Sequence, residues 1–275
     1  MLMKKCLSLM FIITLSLQLK AQHSLLKLWE TDSVINLPES VLPDLKAKVL
    51  YVSVMGNNPN DKDGIGGIGK IKPNGKVIDL NWISGLNSPK GLAISGNLMY
   101  AADLTDVVVI DIAKGKVLRK IPIENTKFLN DITASDKGIV YVSDSRTKRI
   151  YKIENDVPSL YLDSINGVNG LKAIGEDLYI LGGKSFLKAD AGKKITKIAE
   201  LPNGGDGLEP IGNGDFLCSS WGGYVYYVHA DGKIDLLLDT HLEKKNTADI
   251  GYDPVKKIVY IPTFYKKTVM AYQLK

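Results

Sequence analysis

The chain has 275 residues, 45% hydrophobic and 24% charged, with 26 Gly, 11 Pro and 13 Tyr. That composition buries a large core and excludes a disordered chain, while two Cys exclude both a disulfide scaffold and a multi-cysteine zinc module. The net charge is +5, but Lys4, Lys5 and Lys20 supply three of those charges, so residues 23–275 carry only +2 and nucleic acid is not expected as a partner.

Residues 1–22 read as an export signal. A short basic start, Met1 to Cys6, precedes an apolar run from Leu7 to Leu19 that only Ser, Thr and Gln interrupt. The run is shorter than the ~20 residues needed to cross a bilayer, and Ala21-Gln22 follows as a cleavage point. Cys6 lies ahead of the apolar run, where a lipid-modified cysteine would follow it. The expectation is a periplasmic or secreted protein, free of the membrane once the signal is removed, with residues 23–275 as one domain.

Beyond residue 22 no helical periodicity is sustained, and short strand-like runs recur instead. Six of them share one form: Lys48 to Val54, Gly96 to Asp103, Gly138 to Asp144, Glu176 to Leu181, Gly214 to Ser220 and Lys257 to Thr263. A short segment precedes each, beginning at Glu39, Lys90, Asn130, Asn169, Asp206 and Ala248, at spacings of 51, 40, 39, 37 and 42 residues. Polar hairpin turns follow the first five, such as Pro73-Asn-Gly-Lys76 and Ala230-Asp-Gly-Lys233. Four antiparallel strands in roughly 42 residues make a propeller blade, so the pattern predicts an all-β, six-bladed β-propeller. The sixth unit lacks a fourth strand, and Ser24 to Glu30 is a strand without a unit. Pairing the two is expected to close the ring and cover its open edges. Cys218, in the strand-like run Asp215 to Trp221, is expected to be a small core residue.

In a propeller the innermost strand of each blade starts at one mouth of the central channel. The six start residues should therefore converge there, although they are far apart in sequence. Glu39, Asn130, Asn169 and Asp206 are oxygen donors, and none of the six is Cys or His. Such a set suits a hard cation, Ca²⁺ before Mg²⁺ or Mn²⁺, and not Zn²⁺. Singly, Asn169-Gly170 and Asp206-Gly207 are ordinary turn dipeptides; their equivalent places in the repeat favour the shared site. Lys90 is dissonant, because at ~4 Å and an effective dielectric of ~20 it opposes a dication by several kcal/mol. It must point away, contact an anionic substrate, or pair with Glu39. Trp221 and Phe264 fall at strand ends, where they line the mouth or pack blade against blade.

The Glu, Asn, Asn, Asp order in blades one, three, four and five resembles the senescence-marker-protein/gluconolactonase family. The bacterial organophosphate-hydrolysing propellers and the paraoxonases share that order. The resemblance rests on Pro38-Glu-Ser-Val41, Leu129-Asn-Asp-Ile132, Val168-Asn-Gly-Leu171 and Gly205-Asp-Gly-Leu208. It implies that Glu39, Asn130, Asn169 and Asp206 hold a catalytic calcium and that Asp206 also serves as base or nucleophile, ionised beside the dication. Two departures stand out. Lys90 occupies the second-blade position, and His23, His229 and His241 are scattered, unlike the close histidine pair of the paraoxonases. The implied activity is hydrolysis of a lactone or related ester by a monomer acting on a small molecule. The competing class is a non-catalytic propeller that binds a ligand or partner over a structural or vestigial metal site. Strictosidine-synthase-like propellers share the fold without this donor set.

Overall fold

The computed structural model describes residues 23–275, so the expected export signal lies outside the described residues. Six four-stranded antiparallel sheets succeed one another along the chain. Blade one runs Pro38–Asp44, Val49–Val54, Gly66–Ile71 and Val77–Leu86, and blade two Pro89–Ser95, Leu98–Asp103, Asp106–Asp111 and Lys116–Pro122. Blades three, four and five repeat the order from inner strands Leu129–Ala134, Val168–Ile174 and Leu208–Gly212. The sequence pattern forces this arrangement. Strands such as Val107–Ile110 are buried on both faces because each sheet packs between two neighbours, and the apolar clusters accordingly join side chains of adjacent blades.

Blade six comprises Gly251–Asp253, Ile258–Pro262 and Val269–Leu274, and its fourth, outer strand is Leu25–Glu30 from the start of the described chain. The register pairs Leu25 with Leu274 and Glu30 with Met270. Trp29 reinforces the closure. Its indole Nε1 donates to the Pro73 carbonyl of blade one at 3.0 Å, and its ring packs 6.0 Å from that of Tyr260. The first and last blades are also joined at the axis, where Ser40 and Asp249 form a parallel bridge and Ser40 Oγ donates to Asp249 Oδ2 at 2.6 Å. Cys218 is fully buried, as expected, and burial pushes its thiol far above the usual range, so it is no nucleophile.

Two features of the inner strands position everything at the axis. The first is a β-bulge at the start of the first four blades: three residues, such as Leu129 to Ile132 in blade three, advance against two on the neighbouring strand. Blades one, two and four show the same shift at Pro38/Val41, Pro89/Leu92 and Val168/Leu171. A bulge re-aims the side chains it carries, and here it lies at four of the six start positions, those of Glu39, Lys90, Asn130 and Asn169. Buried serines on the second strand bind the backbone at three of the blade starts. Ser53, Ser143 and Ser219 accept the backbone N–H of Ser40, Asp131 and Gly207 at 2.8, 3.0 and 2.8 Å.

The second feature is the small residue that follows the start position. A Cβ on Gly170 would lie 2.3 Å from the Asp206 carbonyl oxygen, and one on Gly207 would lie 2.4 Å from the Ile250 nitrogen. On Gly91 it would lie 2.7 Å from the Asp131 Cα. Inner strands thus meet backbone to backbone, which narrows the channel just beneath the start residues.

Two outcomes check this account. Gly170→Ala should cost about 1–3 kcal/mol in urea unfolding, because blades four and five must part to admit a methyl group; unchanged stability would mean that the contact carries no constraint. Deleting residues 23–31 should expose the strand Val269–Leu274 and cause aggregation or a large fall in melting temperature. A monomeric deletion variant with wild-type melting would refute closure by this strand.

Candidate functional site

The start residues do converge. Five of the six, Glu39, Lys90, Asn130, Asp206 and Ala248, are buried, and Asn169 is half-buried. Asn169 Nδ2 donates to Asp206 Oδ1, joining blades four and five. Asn130 Nδ2 donates to Ser145 Oγ at 3.0 Å, and that hydroxyl donates to the Val168 carbonyl at 2.7 Å, joining blades three and four. With both amide nitrogens engaged, the side-chain oxygens of Asn130 and Asn169 remain as acceptors. Glu39 Oε2 and Asp206 Oδ2 are buried without any hydrogen-bond partner. Buried carboxylate oxygens left unpaired are costly and point to a ligand that satisfies them.

The electrostatics agree. Burial, then the charge of Asp206, pushes Glu39 well above the usual carboxylate range, with Lys90 opposing. Burial pushes Asp206 up to about 7 against the Asn169 hydrogen bond. Behind them Asp131 is likewise raised by burial to about 7, although the backbone N–H groups of Leu171 and Ile132 donate to it at 2.6 and 2.7 Å. Asp249 is raised well above its usual value by burial and by Asp131 and Glu39. Four acidic groups therefore crowd the axis, and without a cation beside it Asp206 is only partly ionised at neutral pH. Its full ionisation at neutral pH would depend on an added positive charge.

Lys90 shares the ring but is only 1% exposed. Its Nζ donates to the Ser88 carbonyl at 3.0 Å and lies 4.2 Å from the centre of the Phe128 ring, with Arg146 against the same ring at 4.5 Å. Burial lowers its pKa to about 8, while Glu39 and Asp103 pull the other way. Of the three roles open to it, the structure favours pointing away: the ammonium turns to Ser88 and Phe128, makes no direct ion pair with Glu39 and feels its charge only at a distance. Phe264 is buried among Leu37, Met55 and Ala248, so it packs blade against blade. Trp221 is 43% exposed and meets Phe264 edge-on at 5.4 Å, and its carbonyl accepts Asn246 Nδ2, which fixes it on this rim.

The sequence did not single out Tyr265, 59% exposed beside Trp221, nor Phe128 and Arg146. Arg146 is held across the mouth by Asn60, from the long first-blade loop, whose oxygen accepts its Nη2 at 2.5 Å. Only the adjacent aromatics Phe264-Tyr265 gave any sequence signal.

Among the described residues no three His, Cys, Asp or Glu side chains are grouped to hold a metal, so a cation here would need the two carboxamides as well. The donor set fits a hard cation: four oxygen-bearing side chains, two of them with orphaned carboxylate oxygens, and a lysine already turned to a backbone carbonyl.

No family model matches the chain, and no curated protein matches it in sequence. Solved structures do match in fold. A gluconolactonase from Xanthomonas campestris superposes with a TM-score of 0.68 at 16% identity, over 91% of this chain and 89% of that one. A streptogramin B lyase gives 0.65 at 12% identity, over 92% and 98%. A chain of a nidogen/laminin complex gives 0.61 at 15% identity, over 74% and 80%. The chain thus has the fold of the gluconolactonase and lyase propellers.

The raised acid groups set a pH dependence. In chelator, the folded protein binds protons at Asp206 and Asp131 up to about pH 7, whereas unfolded aspartate releases them near ~3.9. These groups therefore add stability that is complete below about pH 4 and is lost as pH rises towards 7. Melting temperature measured in chelator should fall across that window, less steeply for Asp206→Asn, and calcium should restore it at the upper end. An Asp206→Asn difference that does not vary with pH would contradict this assignment.

Proposed function

We propose that the protein is an exported, metal-dependent hydrolase of a lactone or related ester, with calcium held by Glu39, Asn130, Asn169 and Asp206. The observation that carries the reading is the pair of buried, unpartnered oxygens, Glu39 Oε2 and Asp206 Oδ2, at equivalent blade starts beside two carboxamides. Mg²⁺ or Mn²⁺ would fit the same donors less well. Bound there, the cation would supply Lewis acidity towards a carbonyl oxygen. Asp206 does the proton work: Asn169 fixes its Oδ1, and its free Oδ2 can accept a proton from water or attack the carbonyl carbon. Lys90 balances the charge of Glu39, while Trp221 and Tyr265 offer a rim on which a small-molecule substrate can rest. The likeness in fold to a gluconolactonase supports the choice of a lactone. Export through residues 1–22 places the enzyme in the periplasm or outside the cell, acting as a monomer.

One observation favours a second reading, a non-catalytic propeller that binds a small ligand or protein partner, its metal site structural or vestigial. The Lys90 ammonium belongs to the ring and opposes a dication.

The two readings separate in a calcium titration with a panel of small lactones. Asp206→Asn should lower kcat by at least ~10²-fold, the loss of a general base, and excess calcium should not restore it. Glu39→Gln should weaken the metal but regain most activity at high calcium. Full recovery of Asp206→Asn would reduce Asp206 to a ligand. Wild type inactive at every calcium level would support the binding reading.

A further inference from the structure

The other end of the channel carries a cavity of about 460 Å³, a size typical of small-ligand sites. The backbone contacts at Gly91, Gly170 and Gly207 lie between it and the ring of start residues, so the chemistry proposed above makes no use of it. Leu92, Leu171, Leu208 and Ile250 contribute apolar wall, and the inner strands of all six blades reach it.

Its polar groups are unevenly matched. Lys172 Nζ donates to Glu209 Oε2 at 2.7 Å, their side chains 28% and 14% exposed. Burial opposes a charged Lys172, yet Glu209, Asp131 and Asp249 together outweigh it. One ammonium thus faces three carboxyl groups. Asp131 spends one lone pair of each oxygen on a backbone N–H, and Asp249 accepts from Ser40, so both keep acceptor capacity.

That imbalance selects among ligands. An anion would meet Asp44 as well as the three inner carboxyl groups, and of the two lysines lining the cavity Lys172 is engaged by Glu209 and Lys46 is exposed to solvent. A dication would be opposed by Lys172 in the middle of the group. A wholly apolar molecule would strip water from carboxyl oxygens that keep free lone pairs, at a cost. We propose that this second mouth binds a compact aliphatic primary ammonium compound, its charged head among Asp131, Asp249 and Glu209 and its carbon chain against the leucine and isoleucine wall.

The test is calorimetric titration of the purified chain with n-butylammonium at fixed ionic strength in chelator, with butyrate as the charge-reversed control. One saturable site for the amine and none for butyrate is expected. Asp249→Asn should raise Kd about tenfold, as loss of one charge-assisted hydrogen bond does. Lys172→Met should lower Kd by about tenfold, because it removes the competing ammonium. Asp249 also joins blades six and one, so if its variant fails to fold, Lys172→Met decides. Saturating calcium should not displace the amine, whatever the outcome of the lactone assays. The proposal is overturned if wild type shows no saturable binding to ~10 mM amine, if butyrate binds as well, if neither variant changes Kd, or if calcium displaces the amine.

Discussion

The close approach of six inner strands at the axis is the constraint from which the rest of the structure follows. A bulge at the start of the first four blades turns one side chain towards the mouth, and a small residue after three of the six start positions lets the next strand come within backbone contact. Neither device works alone. Bulges without Gly91, Gly170 and Gly207 would hold the start residues too far apart to share a ligand. Glycines without bulges would leave the side chains within the blade. Where the second residue is an aspartate, its carboxylate takes over the joining role, as Asp131 does by accepting the Leu171 N–H at 2.6 Å.

That closeness has an electrostatic consequence. Glu39, Asp206, Asp131 and Asp249 are brought together under burial, and only Lys90 and Lys172 stand among them with positive charge. Desolvation alone drives all four towards the protonated form. The fold therefore holds an arrangement that protons satisfy at low pH and that a cation would satisfy at neutral pH. Hydrophobic packing between blades supplies the stability that tolerates it, since each sheet buries both faces while the unpaired charge is confined to the axis.

The architecture was legible in the sequence because a repeat states the same structural requirement six times. Even the closing strand could be read, as a blade short of one strand beside a strand short of a blade. The convergence of the start residues followed from topology. What escaped the sequence was direction and protonation. Lys90 looks in sequence like a charge offered to a substrate, but its ammonium is turned to Ser88 and Phe128, contacts made through the next loop. Asp206 reads as an ionised ligand, and only its burial shows how strongly that depends on a partner charge. Phe128 and Arg146 carried no signal, because they lie in connections outside the repeat.

The second mouth shows why a repeat hides part of its own chemistry. Lys172 and Glu209 occupy the same place in successive blades, three residues after Asn169 and Asp206, so each looks like an ordinary polar position on a short strand. Their meaning appears only when adjacent blades set them 2.7 Å apart and the residues after two other start positions, Asp131 and Asp249, turn towards them. A side chain's role in a ring depends on what its neighbours present at that height. The six-fold frame then generates one site at each height where the blades disagree in charge. At the upper height Lys90 stands against Glu39 and Asp206, and at the lower Lys172 stands against three acids. The start residues at the upper mouth are more deeply buried and keep orphaned oxygens, which suits a bare ion. The lower mouth opens into a cavity of about 460 Å³ walled in part with aliphatic carbon, which suits an ion that carries a carbon chain.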